Sequence, residues 1–122
     1  MASRKIEDLT LEMQNLYREF AVLTAEAGID FIITCTYRTQ EEQDRLYRQG
    51  RTAPGKIVTW TRHSKHNERK AFDIAIMNAG KINWDEKAYQ KPGEIGESIG
   101  LVWGGRWKSP DYPHFQFKKE DV

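Results

Sequence analysis

A chain of 122 residues is long enough to bury one modest core, and its 39% hydrophobic and 30% charged residues describe a folded domain rather than a disordered one. A formal net charge of +1 argues against nucleic acid as the main partner, because phosphate binding needs a clear basic excess. No apolar run approaches the roughly 20 residues that cross a bilayer, and the opening M-A-S-R-K-I-E-D-L is acidic where a secretory signal is apolar; the expectation is synthesis in the cytoplasm without signal peptide or membrane insertion.

In chain order, Ile6, Leu9, Met13, Leu16, Tyr17, Phe20 and Leu23 fall on one stripe of a 3.6-residue repeat. They predict a core-covering helix over residues 6–27, stopped by Gly28. Residues 31–37 are β-branched and aromatic and predict a strand. The one cysteine, Cys35, excludes an intramolecular disulfide and reads as a small buried filler. Thr39 and Glu42 form a capping box for a second helix that Gly50 ends. Residues 51–70, irregular and rich in Gly, Pro, Thr and charge, predict a long loop of the kind that carries function. A short apolar strand follows at 71–76, A-F-D-I-A-I, then a helix at 92–98 closed by Gly100, and strands at 101–103 and 114–117. No repeat or linker divides the chain. One α+β domain over residues 1–122 is expected, with helices packed on a small, mostly antiparallel sheet.

Three polar residues stand against the apolar pattern. Asp73 lies inside a strand, where a carboxylate is costly unless paired or bound to metal. His66 sits in the loop that leads into that strand, and D-Y-P-H-F sets Asp111 and His114 three apart around Pro113. Two imidazoles and a carboxylate suit a catalytic zinc site that keeps a fourth position for water. Spacing alone leaves plainer readings open. Either histidine could be a surface or hydrogen-bonding group, Asp73 an ion-pair partner of Arg38 or Arg69, and Asp111 a turn aspartate.

Residues 64–73, S-K-H-N-E-R-K-A-F-D, resemble the S-x-H-x-x-G-x-A-x-D motif of peptidoglycan metallopeptidases. That family includes D-alanyl-D-alanine dipeptidases and carboxypeptidases and the L-alanyl-D-glutamate peptidases used as bacteriophage endolysins. Residues 103–115, W-G-G-R-W-K-S-P-D-Y-P-H-F, are similar to its second signature, W-G-G-x-W-x-x-x-D-x-P-H-F. Residues 36–55, T-Y-R-T-Q-E-E-Q-D-R-L-Y-R-Q-G-R-T-A-P-G, are similar to the stretch before the loop. The W-G-G-x-W form is closest to the endolysin branch.

The resemblance implies one zinc ion per chain in a central cleft, held by His66, Asp73 and His114. It implies Asp111 as general base. Arg38 is the candidate cation for the developing oxyanion or for a substrate carboxylate. Ser64 is expected to orient the loop or touch substrate, while Trp103 and Trp107 either wall the cleft or pack in the core. His63 reads as a surface residue or as support for a ligand, and Glu68 is the carboxylate to test should Asp111 not serve. The implied function is hydrolysis of the L-alanyl-D-glutamate bond of peptidoglycan stem peptides by a monomeric phage or prophage endolysin. It would act on the wall after release, with no separate wall-binding domain. The alternatives are a D-alanyl-D-alanine carboxypeptidase on the same fold, or a zinc-bearing binding module like the signalling domain of hedgehog proteins. Retention of Asp111 argues against the module. Arg69 departs from the family, standing where glycine is usual; a positive φ there would strain an arginine.

Overall fold

Thr10 accepts a hydrogen bond from the Met13 amide at 3.2 Å, so the first long helix, α1, runs over Leu11–Glu26. The stripe predicted a helix from residue 6. Instead Ile6–Asp8 form a separate 3-10 turn, Leu9 is extended, and the threonine caps a fresh start. Gly28, at φ 75°, ends the segment as expected. The chain is described by a computed structural model over residues 2–118. Among them follow β1 (Asp30–Cys35), α2 (Gln40–Arg48), β2 (Ala71–Asn78), β3 (Lys81–Asn83), α3 (Gln90–Ser98), β4 (Leu101–Trp103) and β5 (His114–Phe117).

The class is α+β, and every strand pairing described is antiparallel. The sheet order is β1-β2-β5-β4, with β3 also paired to β2. β1 takes one edge of β2, while β5 and β3 share the other, at residues 71–73 and 76–78 respectively. The sequence did not suggest β3, because K-I-N is too short to show a period. Its two-residue hairpin turn, Ala79 and Gly80, has positive φ at both positions, and alanine is not the usual residue there.

The core lies on the helix-covered face of β2, where Phe72 and Ile74 are fully buried. The rings of Phe20 from α1 and Phe115 from β5 stand 5.4 Å from that of Phe72, and each such ring contributes about 1.5–3 kcal/mol by burial. α3 lies against β4 at a glycine: a Cβ on Gly93 would stand 2.2 Å from the Trp103 ring. The strands therefore have one face given to packing, and the other is left for polar groups.

Candidate metal centre and cleft

Alternation along β2 sends Phe72 and Ile74 inward and Asp73 to the opposite face. The residues opposite Asp73 are Cys35 in β1 and His114 in β5, and cross-strand partners share a face. Cys35, Asp73 and His114 thus form one rung of the sheet. A bulge in β1 sets its composition. Ile33 opposes Ile74 and Cys35 opposes Asp73, so two steps of β1 match one of β2, and cysteine rather than Thr34 arrives at the rung. His66 comes from a 3-10 turn at Lys65–Glu68, which Ser64 caps by accepting from the His66 amide at 3.2 Å.

His66 Nε2 lies 3.1 Å and His114 Nδ1 3.0 Å from the same atom, Asp73 Oδ1. The outer ring nitrogens are committed elsewhere. His66 Nδ1 faces the Thr36 carbonyl at 3.3 Å, and His114 Nε2 faces Gln116 Oε1 at 2.8 Å. A carbonyl only accepts, so a neutral His66 carries its proton on Nδ1 and turns the Nε2 lone pair toward a carboxylate. Gln116 does the same to His114. Three electron-rich atoms therefore converge, an arrangement that a proton or a cation reconciles. Two donors on a tetrahedral ion at zinc-like bond lengths stand roughly 3.3 Å apart, close to the spacing here. The outer partners are those that orient metal-binding histidines, and the donor set fits a divalent metal ion.

Cys35 Sγ, His66 and Asp73 likewise bring ligand-type atoms within 4.8 Å of one another and could hold a metal ion. The sulfur, however, meets His66 at Nδ1, 3.5 Å away, whereas Asp73 faces Nε2. One imidazole does not give both nitrogens to one ion. Cys35 is the buried filler expected, but it also backs His66, which the sequence did not reveal. Burial, then the Asp73 charge, pushes its thiol up to about 11.

Burial raises the Asp73 pKa, but the two histidines outweigh it and hold the carboxyl well below the usual range. Burial opposes a charged His114, yet the Asp73 hydrogen bond and charge raise its pKa. Asp111 Oδ2 lies 4.0 Å from His114 Nδ1 with half its side chain exposed; partial burial, then the Asp73 charge, raises its pKa. Arg38 donates from Nη1 to Gln43 Oε1 at 2.9 Å and from Nη2 to Cys35 Sγ at 3.6 Å.

A cleft of about 920 Å³ opens over this centre, lined by Arg38, Ser64, Asp73, Trp107, Asp111 and His114 among others. His66 and His114 at its floor are 2% and 4% exposed. The Trp107 ring stands 5.1 Å from that of His114. Trp103 does not wall the cleft: it is 2% exposed, packed on Gly93, and donates from Nε1 to the Tyr112 carbonyl. Its large apolar ring is worth more in the core than beside water. His63 is an exposed residue at the rim, bonded to Gln40 and 3.6 Å from Glu68. Glu68 pairs with Lys65 at 3.1 Å. Arg69 does take positive φ, 62°, closing the 3-10 turn, and its guanidinium lies 3.9 Å over the Tyr37 ring. Contributors that received no role from the sequence include Gln43, Gln116 and Gly104, whose carbonyl accepts from the Asp111 amide at 2.9 Å. Gln116, two residues after His114 on the same strand face, was the most legible of them.

Residues 58–117 match the sequence model of the family described as D-alanyl-D-alanine carboxypeptidase. The chain is 41% identical over 105 residues to the peptidoglycan L-alanyl-D-glutamate endopeptidase CwlK of Bacillus subtilis (strain 168), covering 75% of this chain and 63% of that relative. It thus spans less than two thirds of the length of that protein. Its fold is similar to the crystal structure of the Serratia marcescens L-Ala D-Glu endopeptidase ChiX, with a TM-score of 0.77 and 21% identity over 97% of this chain and 89% of that one. The stretch 58–117, which carries His66, Asp73, Asp111 and His114, is thus the part of the chain that is similar to the family described as D-alanyl-D-alanine carboxypeptidase.

Proposed function

We propose that the protein is a zinc-dependent endopeptidase that hydrolyses the L-alanyl-D-glutamate bond of peptidoglycan stem peptides, the activity named for CwlK and ChiX. The observation that carries this reading is the convergence of His66 Nε2 and His114 Nδ1 on Asp73 Oδ1 at the floor of an open cleft. These three residues would hold one zinc ion per chain, with Thr36 and Gln116 fixing the rings. Zinc, when bound, supplies an acidified water at neutral pH and polarises the scissile carbonyl. Asp111, beside His114 at the cleft mouth, takes the proton of the attacking water and returns it to the leaving amine. Arg38 stabilises the charge that gathers on the carbonyl oxygen. Ser64 holds the His66 turn, and Trp107 flanks the bound peptide. An endolysin released onto the wall from the cytoplasm is the setting this activity would serve. No described helix is long and apolar enough to cross a membrane.

The family description favours a second reading, a D-alanyl-D-alanine carboxypeptidase. Digestion of purified cell wall separates the two. New glutamate amino ends that vanish with chelator are expected; free D-alanine without them would establish the carboxypeptidase, and neither product would reject both.

A further inference from the structure

Gln43, in the first turns of α2, is 0% exposed, yet both of its polar atoms are bonded to residues that line the cleft. Its Oε1 accepts from Arg38 Nη1 at 2.9 Å. Its Nε2 donates to the Thr61 carbonyl at 2.9 Å and to the Thr59 hydroxyl at 3.3 Å. The chemistry of the partners settles which end is which. Flipped, the amino group would face a guanidinium that only donates, and the oxygen would face a carbonyl that only accepts.

The two arms of this amide reach two separate parts of the cleft wall. One is the Arg38 guanidinium, whose other described contact is the weak one to Cys35. The other is the loop at residues 59–61, which packing does little to hold: Trp60 is 71% and neighbouring Val58 56% exposed. That loop hangs instead from polar tethers on and just after α2, Gln43 together with Arg51 Nη2 to the Thr59 carbonyl at 3.0 Å. An arginine loses much rotamer freedom when fixed, and a donor aims at a developing charge only if it is held in place beforehand. A buried amide with both of its N–H donors and its oxygen engaged provides that hold.

We propose that Gln43 is a positioning residue that locks Arg38 and the Thr59–Thr61 wall into one substrate-binding unit. The proposal rests on the endopeptidase reading for its kinetics, though not for the anchoring of the loop. Two variants separate the arms. Gln43→Met is similar in size and removes all three bonds; Gln43→Glu keeps an acceptor for Arg38 but has no N–H for Thr59 and Thr61. On a stem peptide, Gln43→Met should lower kcat roughly 10- to 100-fold and raise KM. Gln43→Glu should keep kcat within about 3-fold while sharing the rise in KM. Hydrogen exchange at residues 59–63, which needs no turnover, should quicken in both. Wild-type kinetics and exchange in Gln43→Met, or a kcat loss in Gln43→Glu as deep as in Gln43→Met, would overturn the proposal. If Gln43→Met does not fold, Gln43→Glu decides by the same kcat and KM criteria. A wild-type enzyme that leaves the peptide uncut would reject the endopeptidase reading, and unchanged exchange in Gln43→Glu would then reject the positioning role separately.

Discussion

Gly104 lies directly beneath the turn that carries Asp111 and His114, and a methyl group there tests whether the placement of Asp111 matters. Its carbonyl accepts from the Asp111 amide at 2.9 Å and from the Trp107 amide at 3.2 Å. A Cβ on Gly104 would stand 2.4 Å from the Asp111 carbonyl oxygen and 3.2 Å from the Cβ atoms of Asp111 and His114. Real Cβ atoms essentially never come closer than 3.0 Å, so the Asp111 backbone has to move by ~0.6 Å or more. The obstacle is backbone, which cannot swing aside like the end of a long side chain. Overpacking of this kind costs about 1–3 kcal/mol, and a displacement near 1 Å in a catalytic group costs roughly 100-fold in rate. Gly104→Ala should therefore fold with a lowered Tm and turn over a stem peptide about 10- to 100-fold more slowly. His114 needs to give by only a few tenths of an ångström, so bound metal should persist. Turnover, thermal melting and metal content of the purified variant are the assays. A folded variant with kcat within about 3-fold of wild type would refute the reasoning, and loss of metal would shift the effect from Asp111 to His114.

Further predictions address the other parts of the centre. His66→Ala, Asp73→Ala and His114→Ala should each lose bound zinc, because three protein ligands leave none to spare; full occupancy in any one would remove that residue from the set. Asp111→Asn should lower turnover ~100- to 10,000-fold with zinc content and melting close to wild type, and unchanged turnover would turn attention to another carboxylate such as Glu68. Arg69→Gly should be more stable than Arg69→Ala by about 1 kcal/mol in urea unfolding, since alanine keeps the strain of φ 62° without the Tyr37 and Asp8 contacts. Equal stabilities would mean that the turn carries no such strain.

Local sequence was enough wherever a local rule decides the outcome. The apolar stripe of α1, the Thr39 cap of α2, the β-branched run of β1 and the apolar run of β2 each depend on neighbours within a few residues, so each was readable. The candidate ligands were readable for a related reason. A carboxylate inside an apolar strand is anomalous by itself, and His66, Asp73, Asp111 and His114 lie in two short segments whose patterns resemble a known family. Tertiary structure decided what depends on register and on distant partners. The bulge between Ile33 and Cys35 determines which β1 side chain reaches Asp73, and a one-residue slip would have sent Cys35 to the other face. Trp103 and Trp107 have the same chemistry and similar surroundings in sequence, but α3 covers only the first. Gln43 looks like one more polar residue on an exposed helix until Arg38, Thr59 and Thr61 are brought against it. Hydrogen bonds between residues as far as 18 positions apart leave no periodic trace along the chain, so their pairing appears only once the sheet and its loops are assembled.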